Sequence, residues 1–243
     1  MSMPEFFSNF FANGISSILI KDLSLGEGWV IAIRVISAVI CIVFPYLLGS
    51  MNFAIMVSKR KYNQDIRDFG SGNAGATNVM RTFGKSAAVL TFGGDALKAF
   101  VSAMIGYAAL GKYGAYIAGL FCVLGHVFPV FYKFKGGKGV VTLAISILMC
   151  NWIVFIILLL LFVLIVLTTK YISLGSVMCA LLYPVVLDRV EKFLYGGTGA
   201  YVIFALMTSA LIIFMHRENI KRLMKGKENK FSFKKSVKPE EKK

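Results

Sequence analysis

Long apolar runs separated by short polar segments fill the chain from residue 29 onward. The first run, 29–57, is long enough to cross a bilayer as a helix. The further runs lie at about 86–109, 113–131, 139–169, 171–187 and 199–215. Because helices satisfy their backbone hydrogen bonds within one segment, this pattern predicts an all-α integral membrane protein.

The run 139–169 is either one crossing or two. If the chain turns near Asn151, the run forms a hairpin, and Lys138 and Lys170 then share one side of the membrane. A single crossing would instead place Lys170 on the side that has few basic residues. We therefore expect about seven transmembrane helices, although the first arm of the hairpin, 139–150, is short for a full span.

Basic residues fall mainly on one side of a seven-crossing arrangement. Six Lys and Arg residues lie between 58 and 86, three at 133–138, one at 170 and eleven after 216. The other side has Lys21, Lys112, Arg189 and Lys192. Because cytoplasmic loops carry the excess of basic residues, we expect the N-terminus outside and the C-terminus in the cytoplasm. Lys112 lies on the outer side, and Lys112→Ala is expected to leave activity unchanged.

Composition supports a membrane protein and narrows the classes of function. Of the 243 residues, 57% are hydrophobic and 16% are charged, which with a mean hydropathy of +0.73 is too apolar for a soluble domain. The net charge of +15 does not require a nucleic-acid partner, because topology and anionic lipid account for it. The four cysteines lie in apolar runs without metal-ligand spacing, so we expect buried thiols, no metal and no cofactor.

The pattern divides the chain into three regions. Residues 1–28 are expected to form an N-terminal interfacial helix and a linker. One helical face within residues 4–20 carries Phe6, Phe7, Phe10, Phe11, Gly14 and Ile18. Residues 29–225 form the seven-helix membrane domain, and residues 226–243 form a disordered basic tail that is too charged to pack.

Gly70, Gly72 and Gly75 match the G-x-G-x-x-G spacing of dinucleotide-binding loops, and Asp95 follows twenty residues after the last of them. Such a site requires a short strand before the glycines. Here a membrane-spanning run and the polar stretch SKRKYNQDIRD precede them. A dinucleotide site is therefore not expected, and the glycines need another explanation.

The segment GSGNAGATNVMR at 70–81 concentrates hydrogen-bonding groups in a glycine-rich turn. The candidate side chains are Ser71, Asn73, Thr77 and Asn78. Arg81 lies about one helical turn beyond the last of them. Gly and Asn also form ordinary turns between helices, but a turn alone rarely needs so many donors ending in Arg.

The segment GHVFPVFYKFKGGKG at 125–139 surrounds Lys138 with Gly136, Gly137 and Gly139 just before an apolar run. Backbone N–H groups, a helix N-terminus and an ammonium group can therefore face one anion. The residues at 132 and 139 do not fit a Walker loop, which needs Gly and then Ser or Thr there. The pattern indicates phosphate binding without specifying a nucleoside triphosphate.

Two further pairs of residues are candidates. His216 and Asn219 lie in the first turn of HRENIKRL. A lone His at such a membrane exit is ordinarily interfacial. These two residues become candidates because the two other polar segments are expected to lie beside them. Asp95 and Lys98 lie one turn apart within a span. They are either an internal ion pair that positions the glycine loop or contacts to substrate.

The motifs SGNAGATN, GHVFPVFYKFKGGKGVVT and HRENIKRL followed by Gly and Glu occur in this order among about seven spans. This set resembles the bacterial membrane glycerol-3-phosphate acyltransferases that use acyl phosphate, and the resemblance covers residues 29 to about 228. Ala74 stands where that family commonly has Pro, and Met215 stands where a basic residue usually precedes the His. Neither departure removes a residue to which we assign chemistry.

The resemblance implies transfer of an acyl group from acyl phosphate to the 1-hydroxyl of glycerol 3-phosphate, giving lysophosphatidic acid and phosphate, the first step of phospholipid synthesis. The implied catalytic residues are Ser71, Arg81, Lys138, His216 and Asn219. The expected substrate contacts are Gly72, Asn73, Thr77, Asn78, Gly136, Gly137, Asp95 and Lys98. The expected partners are glycerol 3-phosphate, acyl phosphate and membrane lipids, with the site on the cytoplasmic face of the bacterial cell membrane.

Direct transfer without an acyl-enzyme is expected, because acyl phosphate carries a good leaving group and the protein needs only to align and stabilise the reacting groups. An acyl chain that arrives from the bilayer also requires a lateral apolar groove near Lys138.

The alternative is a transporter of a small organic phosphate, since basic residues at a membrane face also serve anion translocation. The absence of credible self-similarity between the two halves of the chain disfavours it.

Overall fold

The computed structural model describes residues 3–22, 26–197 and 199–231, and within these ranges it is helical and contains no β-strand. The helices are α1 (Met3–Asp22), α2 (Glu27–Ser50), α3 (Phe53–Tyr62), α4 (Ala76–Phe83), α5 (Lys85–Val127), α6 (Val140–Cys150), α7 (Trp152–Thr169), α8 (Ile172–Tyr195), α9 (Tyr201–Met215) and α10 (Arg217–Met224). The predicted all-α class is confirmed for the part of the chain that the structure describes.

Helix α5 is a hairpin whose two arms lie side by side. The backbone leaves helical geometry at Gly111, which has a φ of +61°. Gly106 and Gly114 meet across this turn so closely that a Cβ atom on either would overlap the backbone of the other. Glycine permits both the left-handed backbone and the close approach, and the turn falls between the apolar runs 86–109 and 113–131.

The run 139–169 also forms two helices, α6 and α7, as the charge pattern predicts. The Asn151 side chain caps α7 by accepting a hydrogen bond from the Val154 N–H at 3.1 Å. The amide group of Asn151 donates to the carboxylate of Glu191 in α8 at 2.8 Å. A single polar residue therefore ends one apolar helix and begins the next.

The apolar run 29–57 is not one helix. Helices α2 and α3 meet at Asn52, whose buried side chain caps the start of α3. The carbonyl groups of Gly49 and Met51 at this break accept hydrogen bonds from Lys98 of α5, at 3.0 Å each. The Lys98 side chain thus satisfies the carbonyl groups that the helix break leaves without a backbone partner.

The connections alternate between two ends of the bundle. At one end, the turn of α5, the turn between α6 and α7 and the last turns of α8 meet around Glu191, which is 1% exposed. Lys112 pairs with this carboxylate at 2.9 Å. Removal of Lys112 would leave a buried charge without its cation, so we expect Lys112 to contribute to stability. Its expected lack of effect on activity stays a prediction.

Four helical stretches within the described residues are long and apolar enough to cross a membrane, at 27–62, 85–132, 152–169 and 172–195. Helices α9 and α10 add a fifth if this pair, bent by 57°, forms one span. Helix α6 is shorter, with 11 residues. The structure is thus that of a helical membrane protein, while the count of seven crossings and the orientation of the termini stay predictions.

The two ends of the chain depart from the expected regions. Helix α1 bends at Gly14, where φ is +73°, so residues 4–20 do not present one continuous helical face. The backbone at Ala12 and Asn13, just before this bend, lies against Gly111 at the turn of α5. Residues 226–231, expected to be disordered, instead pack through Glu228. Residues 232–243 and the side chains of Phe6, Phe7 and Phe10 lie outside what the structure describes.

Candidate active site

A cavity of about 280 Å³ opens at the end of the bundle away from Glu191. The three polar segments at 70–81, 125–139 and 216–223 all contribute to it. Nine predicted site residues line the cavity: Ser71, Asn73, Thr77, Asn78, Arg81, Asp95, Lys138, His216 and Asn219. The four others lie outside this lining: Gly72, Lys98, Gly136 and Gly137. The convergence predicted from the sequence is therefore present in the structure.

Asn78 holds the glycine loop that precedes α4. Its side chain accepts a hydrogen bond from the Ser71 N–H at 3.0 Å and donates to the carbonyl oxygens of Phe69 at 2.9 Å and Asn73 at 3.1 Å. A Cβ atom at Gly70, where φ is +59°, would overlap the Asn78 amide. Because these bonds engage both ends of the amide, Asn78 shapes the loop and keeps no spare donor for a substrate.

The first turn of α4 faces the cavity. Gly75 begins this helix without a side-chain cap, and the next two residues, Ala76 and Thr77, line the cavity. The first N–H groups of a helix lack partners within the helix and carry partial positive charge. This end of α4 therefore favours an anion.

Arg81 in the last turn of α4 adds a full positive charge to the same cavity. Its guanidinium group donates to the carbonyl oxygen of Asn229 at 3.4 Å, which is a long hydrogen bond. Burial lowers the pKa of Arg81, yet a guanidinium remains charged throughout the physiological range. A cation that is held so weakly can pair with an incoming phosphate.

The loop before α6 presses closely on His126. The N–H groups of Gly136 and Gly137 donate to the carbonyl oxygens of Val127 and His126, at 3.1 Å each. A Cβ atom at either glycine would overlap His126. These two N–H groups are therefore committed to the loop and do not face an anion, which differs from the pattern expected around Lys138.

Lys138 extends from this loop into the cavity, immediately before the N-cap of α6 at Gly139. Its ammonium group donates a hydrogen bond to the Asn219 side chain. Burial lowers the pKa of Lys138 to about 8, and the nearby Arg222 guanidinium adds to that effect. Lys138 is thus a partly desolvated cation at a helix N-terminus.

Glu228 ties the C-terminal segment to the cavity. Its carboxylate accepts hydrogen bonds from Asn219 at 2.7 Å, from Ser173 at 2.9 Å and from Arg222 at 2.8 Å. Burial opposes ionisation of Glu228, but these hydrogen bonds leave its pKa below the ordinary value. The carboxylate therefore orients Asn219 toward Lys138.

His216 lies at the bend between α9 and α10 and is 3% exposed. Its Nδ1 lies 2.8 Å from the carbonyl oxygen of Ile212. Since a carbonyl only accepts, Nδ1 carries a proton, and in the neutral ring Nε2 is then an acceptor. Such an acceptor suits a hydroxyl group of a substrate.

Six polar residues that line the cavity were not predicted as site residues: His126, Ser173, Ser176, Arg222, Glu228 and Asn229. A signal for Glu228 exists, because it is an acidic residue in the basic stretch KGKENK and ends the third motif of the resemblance. The larger apolar side chains of the lining are Phe92, Val140, Val141, Phe162 and Ile172. The cavity thus combines a cationic region with apolar side chains from four different helices.

Comparison with known proteins is consistent with this arrangement. The family model of glycerol-3-phosphate acyltransferase matches residues 39–226. A protein of that name from Thermoanaerobacter sp. (strain X514) is 40% identical over 201 residues, which are 83% of this chain and 99% of the relative. Another from Syntrophomonas wolfei is 44% identical over 191 residues, which are 79% and 95% of the two chains.

Two crystal structures of PlsY (YgiH), an integral membrane glycerol 3-phosphate acyltransferase, are also similar. The glycerol 3-phosphate form has a TM-score of 0.73 and 39% identity, and the lysophosphatidic acid form has a TM-score of 0.70 and 37% identity. Each match covers 81% of this chain and 96% of the crystallised chain. The sequence motifs, the helical bundle and these matches agree, and the chain belongs to the glycerol-3-phosphate acyltransferase family.

Proposed function

We propose that this protein transfers a fatty acyl group from acyl phosphate to the 1-hydroxyl of glycerol 3-phosphate, giving lysophosphatidic acid and phosphate. The observation that carries the proposal is that Arg81, Lys138 and Arg222 line one cavity together with apolar side chains. A substrate pair with two phosphate groups and one acyl chain matches that lining.

The reaction requires no covalent intermediate on the protein. The 1-hydroxyl oxygen forms the ester bond to the carbonyl carbon while the bond from that carbon to the phosphate oxygen breaks. Overall, the hydroxyl proton leaves with the phosphate as hydrogenphosphate. Because phosphate is a good leaving group, alignment of the hydroxyl and stabilisation of developing negative charge account for the catalysis.

Each side chain has a role that fits its contacts. Arg81 and Lys138 bind phosphate groups, assisted by the N-terminus of α4 near Thr77. Ser71 and Asn219 orient the nucleophile or the oxyanion, and the Nε2 acceptor of His216 binds glycerol 3-phosphate. Asn73 lines the same cavity and is assigned to substrate binding.

The predicted glycine contacts act through the backbone. Gly72 has a φ of +70°, and this left-handed conformation lets the loop turn beside Ser71. Gly136 and Gly137 allow the second loop to approach His126, which sets the position of Lys138. These glycines support substrate binding by shaping the two loops.

The acyl chain is expected to reach the site from the bilayer. Phe92 of α5, Val141 of α6 and Phe162 of α7 line the cavity, so apolar side chains of three helices lie beside its charged region. Glycerol 3-phosphate would enter from water at the same end of the bundle.

We infer seven crossings with the N-terminus outside and the site on the cytoplasmic face of the cell membrane, because the basic loops lie at the cavity end.

Parallel turnover assays test the donor and the reaction together. Purified protein in detergent receives glycerol 3-phosphate with either acyl phosphate or acyl-CoA, and lysophosphatidic acid and released phosphate are measured. We expect product with acyl phosphate, without any closed compartment. A product formed only from acyl-CoA would refute the donor. If neither donor gave product and the protein transported a small organic phosphate into vesicles, the transporter would be favoured instead. Membership in the acyltransferase family disfavours that outcome.

A single-turnover experiment tests direct transfer. The protein is mixed with acyl phosphate labelled in the acyl chain, denatured and separated from free lipid. We expect no label on the denatured protein. Label retained on a Ser or Cys side chain would contradict direct transfer.

A further inference from the structure

Asp95, Lys98 and His126 form a buried triad within the α5 hairpin, and each is at most 4% exposed. The Lys98 Nζ donates to the carbonyl oxygens of Gly49 and Met51 at 3.0 Å and lies 2.8 Å from the His126 Nδ1. Asp95 Oδ1 lies 2.8 Å from the same ammonium group. The hydrogen bonds to Gly49, Met51 and His126 engage all three N–H groups of Lys98, and Asp95 adds an ionic contact, so this ammonium has no N–H group left for a substrate phosphate.

The triad determines how the His126 ring is used. An ammonium group only donates, so Nδ1 accepts and the neutral ring carries its proton on Nε2. Nε2 points at Gly137, where a Cβ atom would overlap it. The His126 carbonyl oxygen also accepts the Gly137 N–H at 3.1 Å. Gly137, the residue before Lys138, therefore packs directly against His126.

Stability alone gives a weak reason for this arrangement. Three ionisable side chains inside a membrane helix hairpin carry a desolvation cost that apolar residues of the same volume would avoid. What the triad does provide is geometry, because it joins the break between α2 and α3, both arms of α5 and the loop that carries Lys138. A reacting group displaced by about 1 Å can lose about a hundredfold in rate.

We propose that Asp95, Lys98 and His126 are positioning residues that hold the loop at Gly137 so that the Lys138 ammonium meets the substrate phosphate. This inference rests on the proposed role of Lys138. It replaces the alternative in which Lys98 contacts substrate directly. Asp95 and His126 line the cavity but act through the loop and not as general bases.

A double-mutant cycle tests the coupling between the triad and Lys138. The variant Asp95→Asn/Lys98→Met removes both charges at nearly constant volume, and its kcat is measured in the wild-type and Lys138→Ala backgrounds. We expect a loss of at least about tenfold in the wild-type background and less than about twofold in Lys138→Ala, because the positioning then has nothing to act on. Equal losses in both backgrounds, or no loss in either, would overturn the positioning role.

Lys112→Met/Glu191→Gln is the matched control, because it neutralises a buried ion pair at the other end of the bundle. It should leave kcat unchanged in both backgrounds. If the triad variant does not fold, Gly137→Ala replaces it in the same cycle, since it displaces the loop from His126 without altering any charge. A fully active Lys138→Ala variant would refute the proposed site itself. Equal losses in the two backgrounds would refute only the positioning role of the triad.

Discussion

The Lys138 ammonium donates a hydrogen bond to the side chain of Asn219, a residue 81 positions later in the chain. Asn219 in turn donates to the Glu228 carboxylate at 2.7 Å. A neutral amide thus lies between the ammonium and the Glu228 carboxylate. The charge of Lys138 therefore remains available to a substrate phosphate, and the carboxylate fixes the amide that meets it.

Replacement of Lys138 by alanine should nearly abolish acyl transfer. Loss of a cation that stabilises negative charge in the transition state is expected to cost about 3 kcal/mol, or about a hundredfold in rate. The rate of phosphate release from acyl phosphate at saturating glycerol 3-phosphate measures this. Lys135→Ala is the control, because Lys135 is exposed in the same loop. Equal rates for both variants would contradict the assigned role of Lys138.

Activity should fall at alkaline pH through deprotonation of Lys138. Its pKa is lowered to about 8, so the charged form required for phosphate binding is present below this pH and is lost as the pH rises through it. The pH profile of kcat/KM reports the free enzyme, and it should decline about tenfold per unit above pH 8. Lys138→Arg should remove this decline, because a guanidinium stays charged. An unchanged profile in Lys138→Arg would assign the decline to another group.

Removal of Lys112 should destabilise the protein and leave the chemistry intact. Lys112→Ala leaves Glu191 buried without a cation, and such a change typically costs about 3 kcal/mol or more in the free energy of unfolding. Thermal unfolding in detergent measures the loss. The double variant Lys112→Met/Glu191→Gln should recover much of the stability. A single variant as stable as the wild type would show that the ion pair is not needed.

Asn78→Ala should disorder the glycine loop before α4. The variant leaves the Ser71 N–H and the carbonyl oxygens of Phe69 and Asn73 without their partner, at a cost of about 2 kcal/mol. We expect kcat/KM to fall more than about tenfold, measured with glycerol 3-phosphate as the varied substrate. Asn13→Ala on α1 is the control, because Asn13 is exposed there. Normal kinetics in Asn78→Ala would show that the loop does not depend on this amide.

The helical architecture follows largely from local sequence. Apolar runs must form helices in lipid because no water is present to satisfy the backbone, and glycines at 106, 111 and 114 permit the sharp turn of α5. The hairpin at Asn151 is predictable from the distribution of charge on either side of it. The position of Lys138 just before a helix is also predictable from local sequence, because the polar segment ends there and an apolar run begins.

The apolar helices, the glycine turns and the three polar segments can thus be read from local sequence, since the hydrogen bonds of a helical backbone in lipid are made between neighbouring residues. Which polar groups pair depends on how the helices pack. Lys98 binds the carbonyl groups of Gly49 and Met51, and Lys112 binds Glu191, from distant parts of the chain. The strength of such contacts depends on distance and burial, which arise only when the helices pack.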